Sequence, residues 1–284
     1  MPIERIDGPD DPRVAAFREV PDSERLLSQG LFVAEGRLIV RRVVEDPRYR
    51  VRAVLVNEAS KRELAPVFER SAPDVPVFVG DREAFLGLTG HDLHRGCLAL
   101  VERPRALTPL DVFATYVPGA TSVPRQGTEV VAGRTVVILE GVSNADNVGG
   151  VFRNAAAFGV GGILLSPTCC DPLYRKAIRT SMGAALRVPF ARLNDWPAVL
   201  TLVRRAGFTL AALTPRAPSE TLEAFAARPR PPRLALLAGT EGAGLTPAAE
   251  AGADHRVRIA IDESIDSLNV AVAVGIALYA LSRR

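Results

Sequence analysis

The chain has 284 residues, of which 48% are hydrophobic and 24% are charged, which are the proportions of a globular protein. Its formal net charge is only +3 although its isoelectric point is near 9.0. A uniformly basic surface is therefore excluded, and any nucleic-acid surface has to be a local patch. At roughly 100–200 residues per domain, the length predicts two domains.

Only Lys61 and Lys176 are lysines among the 35 basic residues. Arginine suits bidentate phosphate binding, but a genome-wide composition bias explains the same excess. The three cysteines do not form a disulfide framework, because their number is odd and two are adjacent. The N-terminus has no apolar signal-peptide core, and the longest apolar run, 268–281, is shorter than the ~20 residues a membrane span needs. We therefore expect a cytoplasmic protein without a membrane segment.

The first hundred residues alternate helical and strand patterns. In chain order they predict a helix at 32–44, a strand at 52–56, a helix at 61–70, a strand at 75–79, a helix at 81–88 and a strand at 97–101. This indicates a small α/β domain over 1–103. Proline and glycine then accumulate over 104–133, which predicts a linker with one helical turn at 111–115.

From residue 134 onwards the pattern becomes βαβ. Residues 135–139 form an apolar run of the kind found in parallel strands buried on both faces. Helices are predicted at 148–158 and 268–282, and further strands at 163–165, 187–191, 209–213, 234–238 and 257–261. Strands alternating with helices indicate a mostly parallel, doubly wound sheet over 134–284.

The turn after the first of these strands is long and polar. It contains neither a G-x-G-x-x-G fingerprint nor a Gly-Lys-Ser/Thr phosphate loop. Asn147 has the residue type and position of a helix N-cap. Arg153 follows six residues later and is expected to project from the second helical turn towards the same end of the sheet. A capped helix with Arg153 in a structural ion pair explains this segment alone equally well.

Two further polar clusters follow strands. Residues 239–244 place three glycines around Glu241, at the carboxyl end of a predicted strand, where open α/β sheets bind ligands. An ordinary flexible turn with a solvated carboxylate is the alternative. In the second cluster Ser267 is a candidate N-cap of the last helix, and Asn269 in its first turn can satisfy local backbone groups.

Taken together, the three clusters resemble the motifs of the SPOUT superfamily, in particular its TrmH/SpoU-type RNA ribose 2′-O-methyltransferases. The matching residues are Asn147-x-Gly149 with Arg153, Gly239-x-Glu241-x-x-Gly244, and Ser267-Leu268-Asn269. Segments 171–176 and 179–184 also look like that family, and the first 100 residues resemble, more weakly, its ribosomal-protein-like substrate-binding domain through 32–36 and 94–97. One departure is Asp262-Glu263, where the family usually has a proline.

The resemblance implies a deep trefoil knot in the C-terminal domain, S-adenosylmethionine as cofactor, and a homodimer. It implies methyl transfer to a ribose 2′-hydroxyl of tRNA or rRNA, without indicating which. The residues it assigns to the cofactor site are Thr214, Gly239, Gly244, Ile261 and Leu268. Those it assigns to catalysis are Arg153, which the family offers for managing the hydroxyl, and Asn147, Glu241, Ser267 and Asn269, which would orient Arg153 and the ribose. Arg175, Lys176 and Arg179 are candidates for RNA phosphate contacts, as are five arginines between 41 and 52, although a solvated surface explains both groups.

Four other readings are disfavoured. His91, His94 and Cys97 imitate metal-ligand spacing but lack a fourth ligand, so no metal is expected. Cys169 and Cys170 have no obviously paired histidine, so buried inert thiols are expected. The missing glycine fingerprint disfavours a nucleotide-binding dehydrogenase. A non-catalytic RNA-binding or ribosome-assembly protein that retains the knot is the main rival, against which the intact motif residues argue.

Overall fold

The computed structural model describes residues 1–19, 23–71, 74–89, 96–114, 135–262 and 264–282. It divides into two compact units. The first consists of Met1–Arg105 together with Leu173–Arg179, and the second of Ala106–Pro172 together with Thr180–Arg284. The short segment Leu173–Arg179, which the sequence places in the C-terminal domain, thus groups with the first unit.

The first unit contains a five-stranded mixed sheet in the order β1-β4-β3-β5-β2. Its strands are β1 (Ile3–Arg5), β2 (Leu31–Glu35), β3 (Val51–Val56), β4 (Val77–Val79) and β5 (Cys97–Glu102). Its helices are α1 (Ser23–Ser28), α2 (Arg37–Glu45), α3 (Glu58–Arg70) and α4 (Arg82–Thr89), with a 3-10 helix at Pro12–Glu19. Val14, Phe17, Leu55 and Leu98 are fully buried in its core.

The predicted helix at 32–44 is wrong in its first part. Leu31–Glu35 is a strand that pairs antiparallel with β5, and the helix begins only at Arg37. Gly36 separates the two elements with a φ of 93°, a conformation that glycine adopts without a steric penalty. Pairing with a distant strand therefore overrides the local helical pattern of residues 32–35.

The second unit contains a seven-stranded, all-parallel sheet in the order β10-β12-β9-β11-β6-β7-β8. Its strands are β6 (Thr135–Glu140), β7 (Gly162–Leu165), β8 (Phe190–Arg192), β9 (Thr209–Leu213), β10 (Glu220–Thr221), β11 (Leu234–Gly239) and β12 (His255–Arg258). The helices from the linker onwards are α5 (Pro109–Ala114), α6 (Ala145–Ala157), α7 (Arg175–Thr180), α8 (Leu200–Arg205), α9 (Leu222–Ala227), α10 (Pro247–Ala251) and α11 (Val270–Ser282). The predicted parallel α/β domain is confirmed.

The apolar strands of this sheet are buried on both faces. Along β6, Val137 and Leu139 belong to one core cluster, whereas Val136 and Ile138 belong to another. Successive strand residues point to opposite faces, so the two clusters occupy the two sides of the sheet. Burial on both sides is the reason that the strand reads as an uninterrupted apolar run.

Several predicted boundaries in this unit move. The strand expected at 187–191 is limited to Phe190–Arg192, after a 3-10 turn at Ala184–Leu186. Pro189 has no N–H to donate, although its carbonyl accepts from the Ile163 N–H of β7 at 2.9 Å, so the strand begins only at Phe190. The strand expected at 257–261 is His255–Arg258, so the residues that follow it form a loop. The sequence did not predict β10 of this unit, nor β1 of the first unit.

The linker predicted at 104–133 is described only as far as residue 114. Its start includes α5, whose Val112 and Phe113 are buried in a core cluster of the second unit. Among the described residues, no helix is long and apolar enough to cross a membrane.

Candidate functional site

A cavity of about 350 Å³ opens at the carboxyl ends of β9, β11 and β12. This is the edge of a parallel sheet at which open α/β folds bind ligands. All five residues predicted to bind the cofactor line it: Thr214, Gly239, Gly244, Ile261 and Leu268. Glu241 and Ser267 line it as well. The structure thus brings the second and third sequence clusters to one place.

Gly239, the last residue of β11, lies against the returning backbone of its own loop. A Cβ at this position would overlap the carbonyl group of Gly244 and the amide nitrogen of Leu245. The loop closes on itself because the N–H of Gly244 donates to the carbonyl of Thr240 at 3.0 Å. Gly244 has a φ of 69°, which favours glycine there too. Both glycines of the motif are thus required by backbone geometry.

The far end of this loop is anchored to Glu140 at the end of β6. The Glu140 carboxylate is buried, with 6% of the residue exposed, and accepts from the Thr246 N–H at 2.8 Å and the Thr246 hydroxyl at 2.9 Å. The indole N–H of Trp196 donates to the same carboxylate. A buried carboxylate with three donors is a stable anchor, and it fixes the position at which α10 begins.

Arg216 is a cavity residue that the sequence analysis missed. It follows β9, and its guanidinium donates to the backbone carbonyls of Ala243 and Leu245 at 2.6 and 2.9 Å. It also contacts Glu250 at 3.2 Å. The only available signal was a basic residue directly after a predicted strand, which alone does not identify a contact to a loop 27 residues away.

A hydrogen-bonded cluster stands beside the cavity, formed by one residue from each of the three motifs. The Asn269 side-chain amide donates to Asn147 Oδ1 at 2.8 Å and to Glu241 Oε1 at 2.6 Å. Its own Oδ1 accepts from the N–H groups of Ala271 and Val272, so it also caps α11. We call Asn147, Glu241 and Asn269 the amide–carboxylate cluster. Ser267, the predicted alternative cap, is exposed and lines the cavity.

The prediction that Asn147 caps its helix is wrong. Asn144 is the N-cap of α6, accepting from the Asp146 N–H at 2.8 Å. Because the helix begins three residues before the predicted position, Asn147 lies in its first turn and only 7% of it is exposed. Its side chain is thereby free to accept from Asn269.

Close packing of α6 on α11 brings the first and third motifs together. A Cβ on Gly150 would lie 2.8 Å from the Ala271 Cβ, and one on Gly275 would lie 2.9 Å from the Asn154 amide nitrogen. Asn154 donates to the Ala271 carbonyl at 2.7 Å. Small residues at the crossing thus set the distance from Asn147 to Asn269.

Arg153 is exposed on α6, about 9 Å further along the helix axis than Asn147 at ~1.5 Å per residue. It does not line the cavity. In the part of the chain that the structure describes, it makes no hydrogen bond or ion pair, which argues against the structural ion pair. Nor does the amide–carboxylate cluster contact it there, so the predicted orientation of Arg153 by this cluster is absent from the isolated chain.

Asp262, which stands where the family usually has a proline, forms hydrogen bonds within the loop between β12 and α11. The Asp262 carboxylate accepts from the N–H and hydroxyl of Ser264 at 2.9 and 2.5 Å. These hydrogen bonds lower the pKa of Asp262. An acidic residue here forms a local turn in place of the family's proline; Glu263 lies outside the described residues.

The predicted RNA-contacting arginines are engaged within the first unit. Arg175 and Arg179 approach the two oxygens of Glu35 at 3.6 and 3.4 Å, while Lys176 is exposed. The other basic stretch is partly neutralised too, because Arg48 pairs with Asp46 and both Arg50 and Arg52 pair with Glu102. Phosphate binding at these residues would have to compete with carboxylates.

The thiols have the surroundings of inert residues. Cys169 is buried and donates to the Leu139 carbonyl at 3.2 Å. Burial raises the pKa of Cys170 to about 11, so it is a neutral thiol at physiological pH. His91 and His94 lie outside the described residues; among those described, no group of acidic, histidine or cysteine side chains has the arrangement of a metal site.

A parallel α/β sheet with a glycine-lined cavity at its carboxyl edge defines a cofactor-binding enzyme domain. Residues 134–279 match the SpoU rRNA Methylase family, so the chain belongs to that family of RNA methyltransferases. It is 36% identical to an uncharacterized tRNA/rRNA methyltransferase of Mycobacterium tuberculosis, over 100% of this chain and 93% of that one. The resemblance to TrmH/SpoU-type enzymes is therefore confirmed.

Solved structures share the fold over nearly the whole chain. An rRNA methyltransferase from Sinorhizobium meliloti with AdoMet bound is 22% identical, with a TM-score of 0.77 over 99% of this chain and 98% of that one. A putative RNA methyltransferase of the TrmH family from Porphyromonas gingivalis is 24% identical, with a TM-score of 0.76 over 96% and 98%. The SpoU methyltransferase AviRb from Streptomyces viridochromogenes, in complex with AdoMet, is 21% identical, with a TM-score of 0.74 over 96% and 97%.

Proposed function

We propose that this protein transfers a methyl group from S-adenosylmethionine to a ribose 2′-hydroxyl of tRNA or rRNA. The observation that carries the proposal is the amide–carboxylate cluster, which joins one residue from each motif beside a glycine-lined cavity. A nucleotide-binding dehydrogenase has no support from the family match.

The cavity fits S-adenosylmethionine. Gly239 and Gly244 leave the backbone open to close approach, and Leu213, Ile261 and Leu268 supply apolar side chains suited to an adenine. Glu241 and Asp266 add negative charge, which complements a sulfonium, while the positive charge of Arg216 is paired with Glu250. When bound, this cofactor supplies a methyl group that is already activated for transfer to a nucleophile.

The chain's own residues then have to align the hydroxyl and manage its proton. Arg153 would bind the phosphate next to the reacting ribose and stabilise alkoxide character on the 2′-oxygen while the hydroxyl proton passes to solvent water. A guanidinium stays protonated in proteins, so it acts here as a hydrogen-bond donor and not as the base. Asn147, Glu241, Asn269 and Ser267 would orient the ribose at the cavity mouth.

Replacing Asn269 by serine tests the amide–carboxylate cluster separately from helix capping. Serine keeps an N-cap oxygen for α11, so the helix cap is retained, and thermal unfolding checks that the variant is folded at the assay temperature. It removes the amide that joins Asn147 to Glu241, which lowers stability by about 1–3 kcal/mol. We expect kcat to fall about tenfold or more, because Glu241 and Asn147 lose the donor that positions them. Asn144→Ser is the matched control, because it changes the cap of α6 and leaves the cluster in place. An unchanged kcat in single-turnover assays would exclude the role.

The N-terminal domain, 1–103, is proposed to bind the RNA substrate, with 104–133 as the linker. The proposal rests on its resemblance to a ribosomal-protein-like domain and on the basic residues of 173–179, which group with it in the first unit; RNA phosphate would compete with Glu35 for Arg175 and Arg179. Counterion release predicts that RNA binding weakens steeply with salt.

The proposal includes the deep trefoil knot. Residues 239–245 after β11 line the same cavity as residues 259, 261 and 266–268 before α11, so parts of the two segments that would form the knot lie side by side.

We also propose a homodimer, supported by apolar residues of α11 that the chain itself leaves uncovered. Val272, Ile276 and Tyr279 are 50%, 38% and 51% exposed, whereas Val270 and Val274 are buried in the core. A second copy covering this face would add partners near the amide–carboxylate cluster.

Replacing Val272 by glutamate should therefore shift the protein towards the monomer. A charge at the centre of an apolar contact is unfavourable by several kcal/mol in order of magnitude. Light scattering over a concentration series measures the change. Leu110→Glu is the control, because Leu110 is 58% exposed on α5. If Val272→Glu and wild type have the same mass at every concentration, α11 is not the interface.

Incubation with labelled S-adenosylmethionine and bulk RNA tests the activity, and mapping 2′-O-methyl sites in cells with and without the protein identifies the nucleotide. RNA binding without label transfer would favour the non-catalytic ribosome-assembly role instead.

A further inference from the structure

The loop of residues 240–245 forms one wall of the cavity, yet much of it faces solvent. Glu241, Gly242 and Ala243 are exposed, and Gly242 and Gly244 have φ values of 81° and 69°. Glycines of this kind lower the barrier to rearrangement, because they lose more conformational freedom on ordering than other residues. Something has to hold the middle of the loop against the sheet edge.

Arg216 supplies the contact to the loop's backbone, alongside the Asn269 amide, which binds the Glu241 side chain at 2.6 Å. Its Nη2 donates to the Ala243 carbonyl at 2.6 Å and its Nη1 to the Leu245 carbonyl at 2.9 Å. Of the described side chains, it is the only one that hydrogen-bonds to the backbone of residues 240–245. The planar guanidinium suits this task, since it presents several donors in a fixed fork.

Arg216 is itself fixed to the sheet and to α10, and not only to the loop. Its Nη1 reaches Glu250 Oε1 at 3.2 Å, and Glu250 is 5% exposed. The same oxygen accepts from the Thr214 hydroxyl at 2.7 Å, while the Thr214 N–H donates to the Val257 carbonyl at 3.0 Å. The chain of contacts runs from strands β9 and β12 through Thr214 and Glu250 to Arg216, and from there to the loop.

We propose that Arg216 is a positioning residue that holds the 240–245 loop closed over the cofactor cavity and thereby sets the rate of cofactor exchange. This proposal rests on the proposed function, because it assumes that the cavity binds S-adenosylmethionine. Arg216 does not act on the reacting atoms; it acts through the loop carbonyls. Without it, the carbonyls of Ala243 and Leu245 lose their side-chain donor and the loop opens more often.

A direct electrostatic role for Arg216 predicts a different result. S-adenosylmethionine carries a positive sulfonium that S-adenosylhomocysteine lacks. If Arg216 acted as a nearby positive charge, its removal would strengthen binding of the sulfonium compound relative to the other. If it holds the loop, both compounds bind more weakly and by the same factor.

The experiment compares Arg216→Ala, Arg216→Lys and Arg192→Ala with the wild-type protein. Arg192 is the matched control, because it also donates to two backbone carbonyls, those of Pro167 and Cys169, outside the cavity. Calorimetry and stopped-flow with each compound give Kd and the dissociation rate. For Arg216→Ala we expect both Kd values to rise about tenfold, mainly through faster dissociation, as for the loss of ~1.4 kcal/mol. The lysine variant should give Kd values between those of wild type and Arg216→Ala. KM for the cofactor should rise by a larger factor than kcat falls, because only Glu241 of this loop belongs to the amide–carboxylate cluster.

Hydrogen exchange in the cofactor-free protein gives a readout that does not depend on the identity of the cofactor. Exchange at residues 240–245 should be faster in Arg216→Ala than in wild type and unchanged in Arg192→Ala. If wild type binds neither compound, the proposed function fails, while the exchange data still decide the role of Arg216. Unchanged exchange, unchanged Kd values, or an equal effect of Arg192→Ala would overturn the inference. Should Arg216→Ala not fold, Arg216→Lys and Glu250→Gln carry the same comparison.

Discussion

Replacing Arg153 by alanine should abolish detectable methyl transfer and leave S-adenosylhomocysteine binding within about twofold of wild type. The cavity is lined without Arg153, so cofactor affinity has no reason to change. Arg153 is exposed and makes no hydrogen bond or ion pair with any described residue, which leaves its donors free for an RNA phosphate and the 2′-oxygen. Losing one donor to a developing oxyanion typically reduces kcat by roughly 10²–10³-fold.

Single-turnover methylation measures this loss, and calorimetry with S-adenosylhomocysteine measures binding. Arg153→Lys should recover part of the rate, because it keeps the charge and loses the planar fork. Arg205→Ala is the matched control: Arg205 is also exposed without a partner in the described residues, but it ends α8, next to the amino end of β9 and away from the cavity. Equal loss of binding and of turnover in Arg153→Ala would count against the assignment.

The parallel sheet and its ligand-binding edge were predictable because their signals are local. Uninterrupted apolar runs such as 210–213 and 234–238 arise when both faces of a strand are covered, and each ends at a glycine or polar residue. Carboxyl ends of parallel strands share one edge, so residues placed after separate strands had to meet there. Gly239 and Ile261, 22 positions apart, line the cavity for this reason.

The features that were mispredicted depend on contacts between distant segments. Asn144 and Asn147 are the same residue type near one helix start, and only the turn geometry and the pairing of Asn147 with Asn269 distinguish them. Residues 32–35 have a helical pattern that pairing with β5 overrides. Arg216 donates to backbone carbonyls, which every residue type carries, so the amino-acid sequence does not show where this contact forms.

The described residues of one chain provide no hydrogen-bond or ion-pair partner for the Arg153 side chain. The amide–carboxylate cluster is complete within the second unit, whereas Arg153 stands apart from it on the exposed side of α6. Under the proposed mechanism, the RNA phosphate or a second copy of the chain orients the guanidinium. Activity should then respond to variants on α11 as well as to variants at the cavity.

Replacing Gly239 by alanine is expected to remove most cofactor binding. The added methyl group would overlap the backbone of Gly244 and Leu245, which cannot move aside as a flexible side chain would. The loop is held at Thr246 by Glu140 and at Ala243 and Leu245 by Arg216, so displacing it breaks several hydrogen bonds together. Overpacking of this kind costs typically 1–3 kcal/mol, which corresponds to a rise of about 5- to 150-fold in the Kd for S-adenosylhomocysteine.

Gly242→Ala separates this overlap from backbone strain. Gly242 lies in the same loop with a φ of 81°, and a Cβ there has no heavy atom within 4 Å, so alanine brings strain of about 1 kcal/mol without overlap. Its Kd should rise clearly less than that of Gly239→Ala, and thermal unfolding should confirm that both variants remain folded. Binding by Gly239→Ala within twofold of wild type would mean that the loop tolerates displacement. In that case the close contact between Gly239 and the backbone of Gly244 and Leu245 would not determine the shape of the cofactor cavity.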